Sequence, residues 1–148
     1  MINILVEYGA DPNHANAYGN TPLHESCLLG NLEVTRALIG HGASVRAQNH
    51  HGSTPLHSLS YCKNSESSVA IAEMLVAAGA AVDSIDSTGQ TPFLVAASMG
   101  NEQLVRWLLN QGANSHATDD HGRNAVGCAQ FYGKDSIVKL LSEMYSHK

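Results

Sequence analysis

The sequence predicts an all-α solenoid in which pairs of short helices, joined by β-hairpin turns, are stacked one on another. Three observations predict it. The tetrapeptide Thr-Pro-Leu-His stands at Thr21–His24 and returns at Thr54–His57, 33 residues later. Gly9-Ala10, Gly42-Ala43, Gly79-Ala80 and Gly112-Ala113 follow one another at intervals of 33, 37 and 33 residues. Gly19, Gly52, Gly89 and Gly122 keep the same three intervals. Two glycine series in one register mean that a single supersecondary unit is being stacked, and that function belongs to the stacked surface more than to any one residue.

The stretch from Asn16 to Gln48 shows how each element arises. Gly19, within Ala17-Tyr18-Gly19-Asn20, supplies the positive φ of a tight turn. Thr21 can cap a helix with its hydroxyl, and Pro22 fits the first helical position, where a missing N–H is harmless and a fixed φ helps. This first helix is predicted to run to about Leu29, where Gly30-Asn31 breaks it. Leu32, Val34, Leu38 and Ile39 then recur at helical spacing and give a second helix one apolar stripe, which Gly42 ends as a left-handed cap. Two helices this short cannot bury enough surface alone, so each unit is stable only when it covers its neighbour's apolar face.

These residues carry a family resemblance. Gly-x-Thr-Pro-Leu-His, small residues after it, a glycine between the helices, an apolar second helix and Gly-Ala-Asp-x-Asn together resemble the ankyrin repeat over almost the whole chain. The resemblance implies an L-shaped stack with helix pairs on one side, hairpin tips on the other and a concave groove between. It also implies a protein-binding surface without catalysis.

The expected units are 16–48, 49–85, 86–118 and 119–148, preceded by a partial unit, 1–15, that retains only its second helix. Ile2, Leu5 and Val6 of that helix would face a missing predecessor, forgoing roughly 1.5–3 kcal/mol each. The sequence therefore predicts either a fragment of a longer array or self-association through the truncated N-terminal face. The unit 49–85 is four residues longer than its siblings, and the polar run from Cys62 to Ser68 predicts an extended loop. In the unit 119–148, Asn124-Ala125-Val126-Gly127 replaces the signature, with Asn124 still able to cap. Ser142, Glu143, Ser146, His147 and Lys148 soften its last helix, the pattern of an end cap.

With 148 residues, 43% of them hydrophobic and 14% charged, the chain has the composition of one ordered domain. Its net charge of −5 leaves eight Lys and Arg thinly spread, which argues against nucleic acid and anionic membranes as partners. Apolar runs are too short to span a bilayer, and the start lacks a basic flank and a cleavage site. Cys27, Cys62 and Cys128 are odd in number and widely spaced, which predicts reduced thiols and hence a cytoplasmic or nuclear location.

No catalytic residue, cofactor or metal site emerges. Nine histidines invite zinc, but none forms an i, i+4 pair with another His or Cys, and the cysteines lie far apart. His24 and His57 belong to the signature, where the resemblance gives them hydrogen bonds to the turn backbone. Gly127 to Asp135 has the outline of a phosphate loop, yet five residues separate its glycines and Asp135 stands where Ser or Thr would hold magnesium. Asn13 matches the family position modified by asparaginyl hydroxylases, a position taken elsewhere by Arg46, Asp83 and His116. An amide that ties down the turn is the preferred reading of Asn13.

The candidate partner-binding residues follow from position. Tyr18, Asn20, His50, His51, Ser53, Thr88, Gln90 and Arg123 are expected at hairpin tips, and Tyr61, Met99 and Tyr132 late in first helices, facing the groove. Aromatic, Met and Arg side chains are typical interface anchors, which singles out Tyr18, Tyr61, Met99 and Tyr132. Asp83, Asp86, Asp119 and Asp120 add acidity at the tips and favour a partner segment carrying Lys or Arg. The expected function is an interaction module for a protein or peptide. The alternative is a regulatory or targeting segment of a larger enzyme, toxin or channel.

Overall fold

Thr21 and Pro22 open a helix as their chemistry dictates. The His24 N–H donates to Thr21 Oγ1, 3.4 Å away, and the Thr21 N–H donates back to His24 Nδ1 at 3.1 Å, so a histidine completes the reciprocal cap usually closed by Glu or Gln. Thr54 and His57 repeat the arrangement, while Thr91 and Asn124 cap with their own oxygens alone. Asn31 and Asn101 cap the second helices in the same manner.

The structure is a computed structural model that describes residues 11–62 and 65–146. Among the described residues there are eight helices in four pairs: α1 (Pro22–Leu29) and α2 (Leu32–Gly40), α3 (Pro55–Ser60) and α4 (Ser65–Ala77), α5 (Pro92–Met99) and α6 (Glu102–Asn110), α7 (Ala125–Phe131) and α8 (Asp135–Ser146). No strand occurs among them, so the expected β-hairpins are reduced to tight turns between the pairs. The expected partial unit at 1–15, with Ile2, Leu5 and Val6, lies for the most part outside the described residues.

The first helices stack in one layer, α1 on α3 on α5 on α7, and the second helices α2, α4 and α6 form the other, with α8 against α7. Their shared core is built from residues that recur in the repeat. Leu23, Leu56 and Phe93 follow the capping prolines and are fully buried, as are Leu75, Leu108 and Leu141 of the second helices. Each large side chain buried this way contributes roughly 1.5–3 kcal/mol, and packing between neighbouring pairs adds to the packing within each pair. On α8 the stripe of Ile137, Leu140 and Leu141 points inward, whereas Lys139, Ser142 and Glu143 are exposed. Trp107, on α6, packs half-buried against the core.

The four extra residues of the second pair correct one expectation. They lengthen a helix instead of forming an extended loop: α4 has 13 residues where α2 and α6 have 9. Ser and Glu are well suited to a helix start, and the added turn finds partners in the preceding pair. Ser67 Oγ donates to the Gly30 carbonyl at 2.7 Å, and Ser68 is wholly buried. Of the predicted loop, Lys63 and Asn64 lie outside the described residues.

Stacking also constrains the turns. Gly19 has φ of +80°, and an added Cβ there would stand 2.8 Å from the His50 backbone nitrogen, because the next turn rests on it. Gly122 has φ of +75° but nothing within 4 Å of the same position. Alanine at Gly122 should therefore cost only the left-handed backbone strain, about 1–2 kcal/mol. Alanine at Gly19 should cost that and a further ~1–3 kcal/mol for displacing the neighbouring turn. Chemical denaturation of the two variants measures the difference, and equal losses would show that the turns do not press on one another.

Candidate partner-binding groove

The turn of every pair is organised by one side chain at the period of the repeat. Asn16, Asn49, Asp86 and Asp119 each use Oδ1 to accept two backbone N–H groups, from the residues two and four further on. The local bond satisfies backbone donors that have no helix or sheet to join. One backbone bond then ties each tip to the next: the His50 N–H donates to the Tyr18 carbonyl, Ser87 to His51, and Asp120 to Thr88, at 3.0, 2.9 and 3.0 Å.

Two buried histidines fasten the tips to the helices. His24 Nδ1 accepts from Thr21, so Nε2 carries the proton and donates to the Ser53 carbonyl of the following turn at 2.8 Å. His57 donates likewise to the Gln90 carbonyl at 2.9 Å. Burial pushes both rings below their ordinary value of 6.5, against the opposing pull of those carbonyls.

Between the tips and the first helices runs an open groove of about 530 Å³, lined by Asn20, Leu28, Asn49, His51, Ser53, Ser58, Tyr61, Asp86, Ser87 and Thr88. Of the residues predicted to bind, it unites Asn20, His51, Ser53, Tyr61 and Thr88. Burial pushes the Tyr61 phenol above its ordinary range, and the charges of Asp86 and Tyr132 add to the effect. Tyr18 stands exposed on its tip, as does His50, and Gln90 is half-buried beside Asp86. Met99 and Tyr132 are exposed further along the same layer of helices, where Tyr132 meets Phe131 edge-on at 5.0 Å between ring centroids.

Arg123 departs from expectation, because it is committed within the molecule. Its Nε donates to Asp119 Oδ2 at 2.9 Å, and its guanidinium carbon lies 4.5 Å from the centre of the Phe131 ring. Asp119 is itself buried. Burial pushes its carboxyl up, but the backbone and side-chain bonds from Arg123 and the His121 N–H outweigh this and hold it low. The Asp119 carboxylate is thus taken up within the molecule, whereas Asp86 lines the groove. Asn49, Ser58 and Ser87 complete the lining and were not singled out from the sequence; for Asn49, the recurrence of Asn or Asp at the repeat interval was the available signal.

Three-copy ankyrin-repeat models match residues 1–86 and 59–148, which together cover the chain. The chain belongs to the ankyrin-repeat family. Curated relatives include the ankyrin repeat, SAM and basic leucine zipper domain-containing protein 1 of Echinops telfairi, 38% identical over 77 residues, 51% of this chain and 16% of that protein. Those of Gorilla gorilla gorilla and Nomascus leucogenys are 34% and 32% identical over 79 and 76 residues, covering 53% and 51% of this chain and 17% and 16% of theirs. The aligned part is thus about a sixth of those relatives' length. Ankyrin repeats are in general protein–protein interaction modules and typically non-catalytic. Among the described residues no three His, Cys, Asp or Glu converge as for a metal, and no helix is long and apolar enough to cross a membrane.

The position shared by Asn13, Arg46, Asp83 and His116 joins each unit of the ankyrin stack to the next. Asn13 Nδ2 donates to the Gly42 carbonyl at 3.2 Å and its Oδ1 accepts from Ser44 at 2.7 Å. Arg46 donates to the Gly79 carbonyl, Asp83 accepts from the Asn114 N–H, and His116 stacks on Tyr145. The Asn13 amide therefore tethers one turn to its successor.

The histidine ties set a pH dependence. A ring whose folded value is depressed favours the neutral form, so its stabilisation is present above 6.5 and is lost as pH falls through that value towards the folded one. The thermal midpoint should fall from pH 7.5 to 5.5, with each ring contributing at most ~1.4 kcal/mol per pH unit. Replacing both by glutamine should flatten this profile in calorimetry; an unchanged slope would assign the loss elsewhere.

Proposed function

We propose that the chain is a non-catalytic interaction module that holds a partner protein or peptide along the groove between the hairpin tips and the first helices. One observation carries this reading. Leu28, Tyr61, Met99, Phe131 and Tyr132 are 44, 40, 39, 68 and 49% exposed at the C-terminal ends and caps of the first helices, whose inner faces bury Leu23, Leu56 and Phe93 completely. A row of wet aromatic and aliphatic side chains beside a polar rim is the anatomy of a contact surface. Asn20, His50, His51, Ser53, Thr88 and Gln90 form that rim, with Tyr18 projecting from it. Asp86 favours a partner segment bearing Lys or Arg.

All three cysteines remain thiols. Burial pushes that of Cys27 up to about 12 and that of Cys128 upward as well, so neither is an activated nucleophile. Buried, unbridged thiols support a reducing location, the cytoplasm or nucleus.

A second reading rests on the relatives, whose names include SAM and basic leucine zipper domains and of which the aligned region is a small part. In that reading the array is the targeting or regulatory segment of a longer polypeptide. Mapping the ends of the transcript tests it, and an open reading frame confined to these residues would remove it.

The groove itself is tested by alanine at Tyr18, Tyr61 and Met99 together, after affinity capture and mass spectrometry have supplied a partner. All three side chains are exposed, so helical content by circular dichroism should be unchanged while partner affinity falls at least tenfold, about 1.4 kcal/mol. Undiminished affinity would place the contact on another face.

A further inference from the structure

The molecule contains an internal pattern for what its groove lacks. At the last tip, Asp119 uses Oδ1 to hold its own turn and Oδ2 to bind Arg123, whose flat guanidinium rests on Phe131. At the equivalent tip, 33 residues earlier, Asp86 uses Oδ1 in the same way, accepting from Thr88 N, Gln90 N and Thr88 Oγ1 at 2.9, 3.0 and 2.8 Å. There the resemblance stops. Gln90 stands where Arg123 stands, Ser98 where Phe131 stands, and among the described residues no donor reaches Asp86 Oδ2. The half-buried carboxylate instead lines the groove together with the ring of Tyr61, and no Lys or Arg is among the lining residues.

We propose that this groove receives an arginine side chain from the partner, its guanidinium bonded to Asp86 Oδ2 and laid against the Tyr61 ring, as Arg123 is bonded to Asp119 and laid against Phe131. The inference rests on the groove being the binding face, and adds the chemistry of what enters it. A planar guanidinium meets both demands at once: it donates to a carboxylate in its plane and presents a flat cationic surface to an aromatic ring. A lysine ammonium meets only the charge. Tyr61 is supplied by the preceding helix pair, so the pocket exists only where two units stack. His51, Ser53 and Ser87 on its walls offer hydrogen-bond partners for the backbone on either side of the arginine.

The experiment uses acetyl-Gly-Gly-Arg-Gly-Gly-amide as probe, with citrulline and lysine versions as controls, titrated into the isotope-labelled chain and followed by amide chemical shifts. The arginine peptide should shift the resonances of Ser58, Tyr61 and Asp86–Thr88 saturably, with a Kd on the order of 1 mM. The citrulline peptide should leave them in place, and the lysine peptide should bind several-fold more weakly. Asp86→Asn keeps the Oδ1 acceptor, as Asn16 and Asn49 show, and should weaken arginine binding about tenfold. Gln90→Arg should compete from within, copying the Asp119–Arg123 pair, and suppress binding without lowering the thermal midpoint.

Equal shifts with citrulline, equal binding of lysine, or unchanged binding to Asp86→Asn would overturn the arginine assignment. So would an absence of shifts up to solubility. Any of these results, combined with loss of partner affinity in the Tyr18, Tyr61, Met99 triple variant, refutes the arginine alone and leaves the groove standing. If the triple variant keeps its affinity, it is the groove reading that falls.

Discussion

No helix pair in this chain can shelter its own apolar face, and every other feature depends on that constraint. Leu23, Leu56 and Phe93 in one layer, and Leu75 and Leu108 in the other, lie on helices that pack against the corresponding helices of neighbouring pairs, and all are fully buried. The contacts are local in the stack, so the structure is a chain of interfaces more than a single core. The small added turn of one pair finds a partner in its immediate neighbour, as Ser67 shows by bonding to Gly30.

The same stacking makes a surface that no single unit has. Tips are spaced by backbone bonds from one turn to the next and are held at a fixed distance from the helices by His24 and His57. The groove is the space left between those two ties. Its walls come from three successive turns, and its aromatic floor from a helix belonging to one pair while its carboxylate belongs to the next. Repetition therefore builds the frame, and departures from repetition give it character. Asp86 and Asp119 occupy one position in two copies, yet the residue four places on decides whether the charge is consumed internally or left to face the groove.

Much of this was legible beforehand. The glycine intervals, the Thr-Pro starts and the apolar stripes specify helix pairs because each acts through local backbone preference or a single buried face. The candidate contacts were legible only as positions. Asn20, His51, Ser53, Tyr61 and Thr88 meet around one groove, but Arg123 does not join them, because pairing with Asp119 and stacking on Phe131 depend on side chains brought together by the turn. The polar run before Val69 reads as a loop, since Ser and Asn are common in both turns and helix starts; contact with the preceding pair resolves it as an added helical turn. Asn13 reads as a turn former, whereas its amide in fact spans to Gly42 and Ser44 of the following unit.

What the sequence determined by itself was the unit, its period and its family, because these rest on interactions among residues a few positions apart and on one hydrophobic stripe per helix. What only the tertiary structure decided was which polar groups are already satisfied. That question turns on partners roughly 30 residues away: His24 with Ser53, Asn49 with Asn20, Asp83 with Asn114. A hydrogen bond requires atoms within about 3 Å, and no periodicity in a string of residues specifies distance that finely.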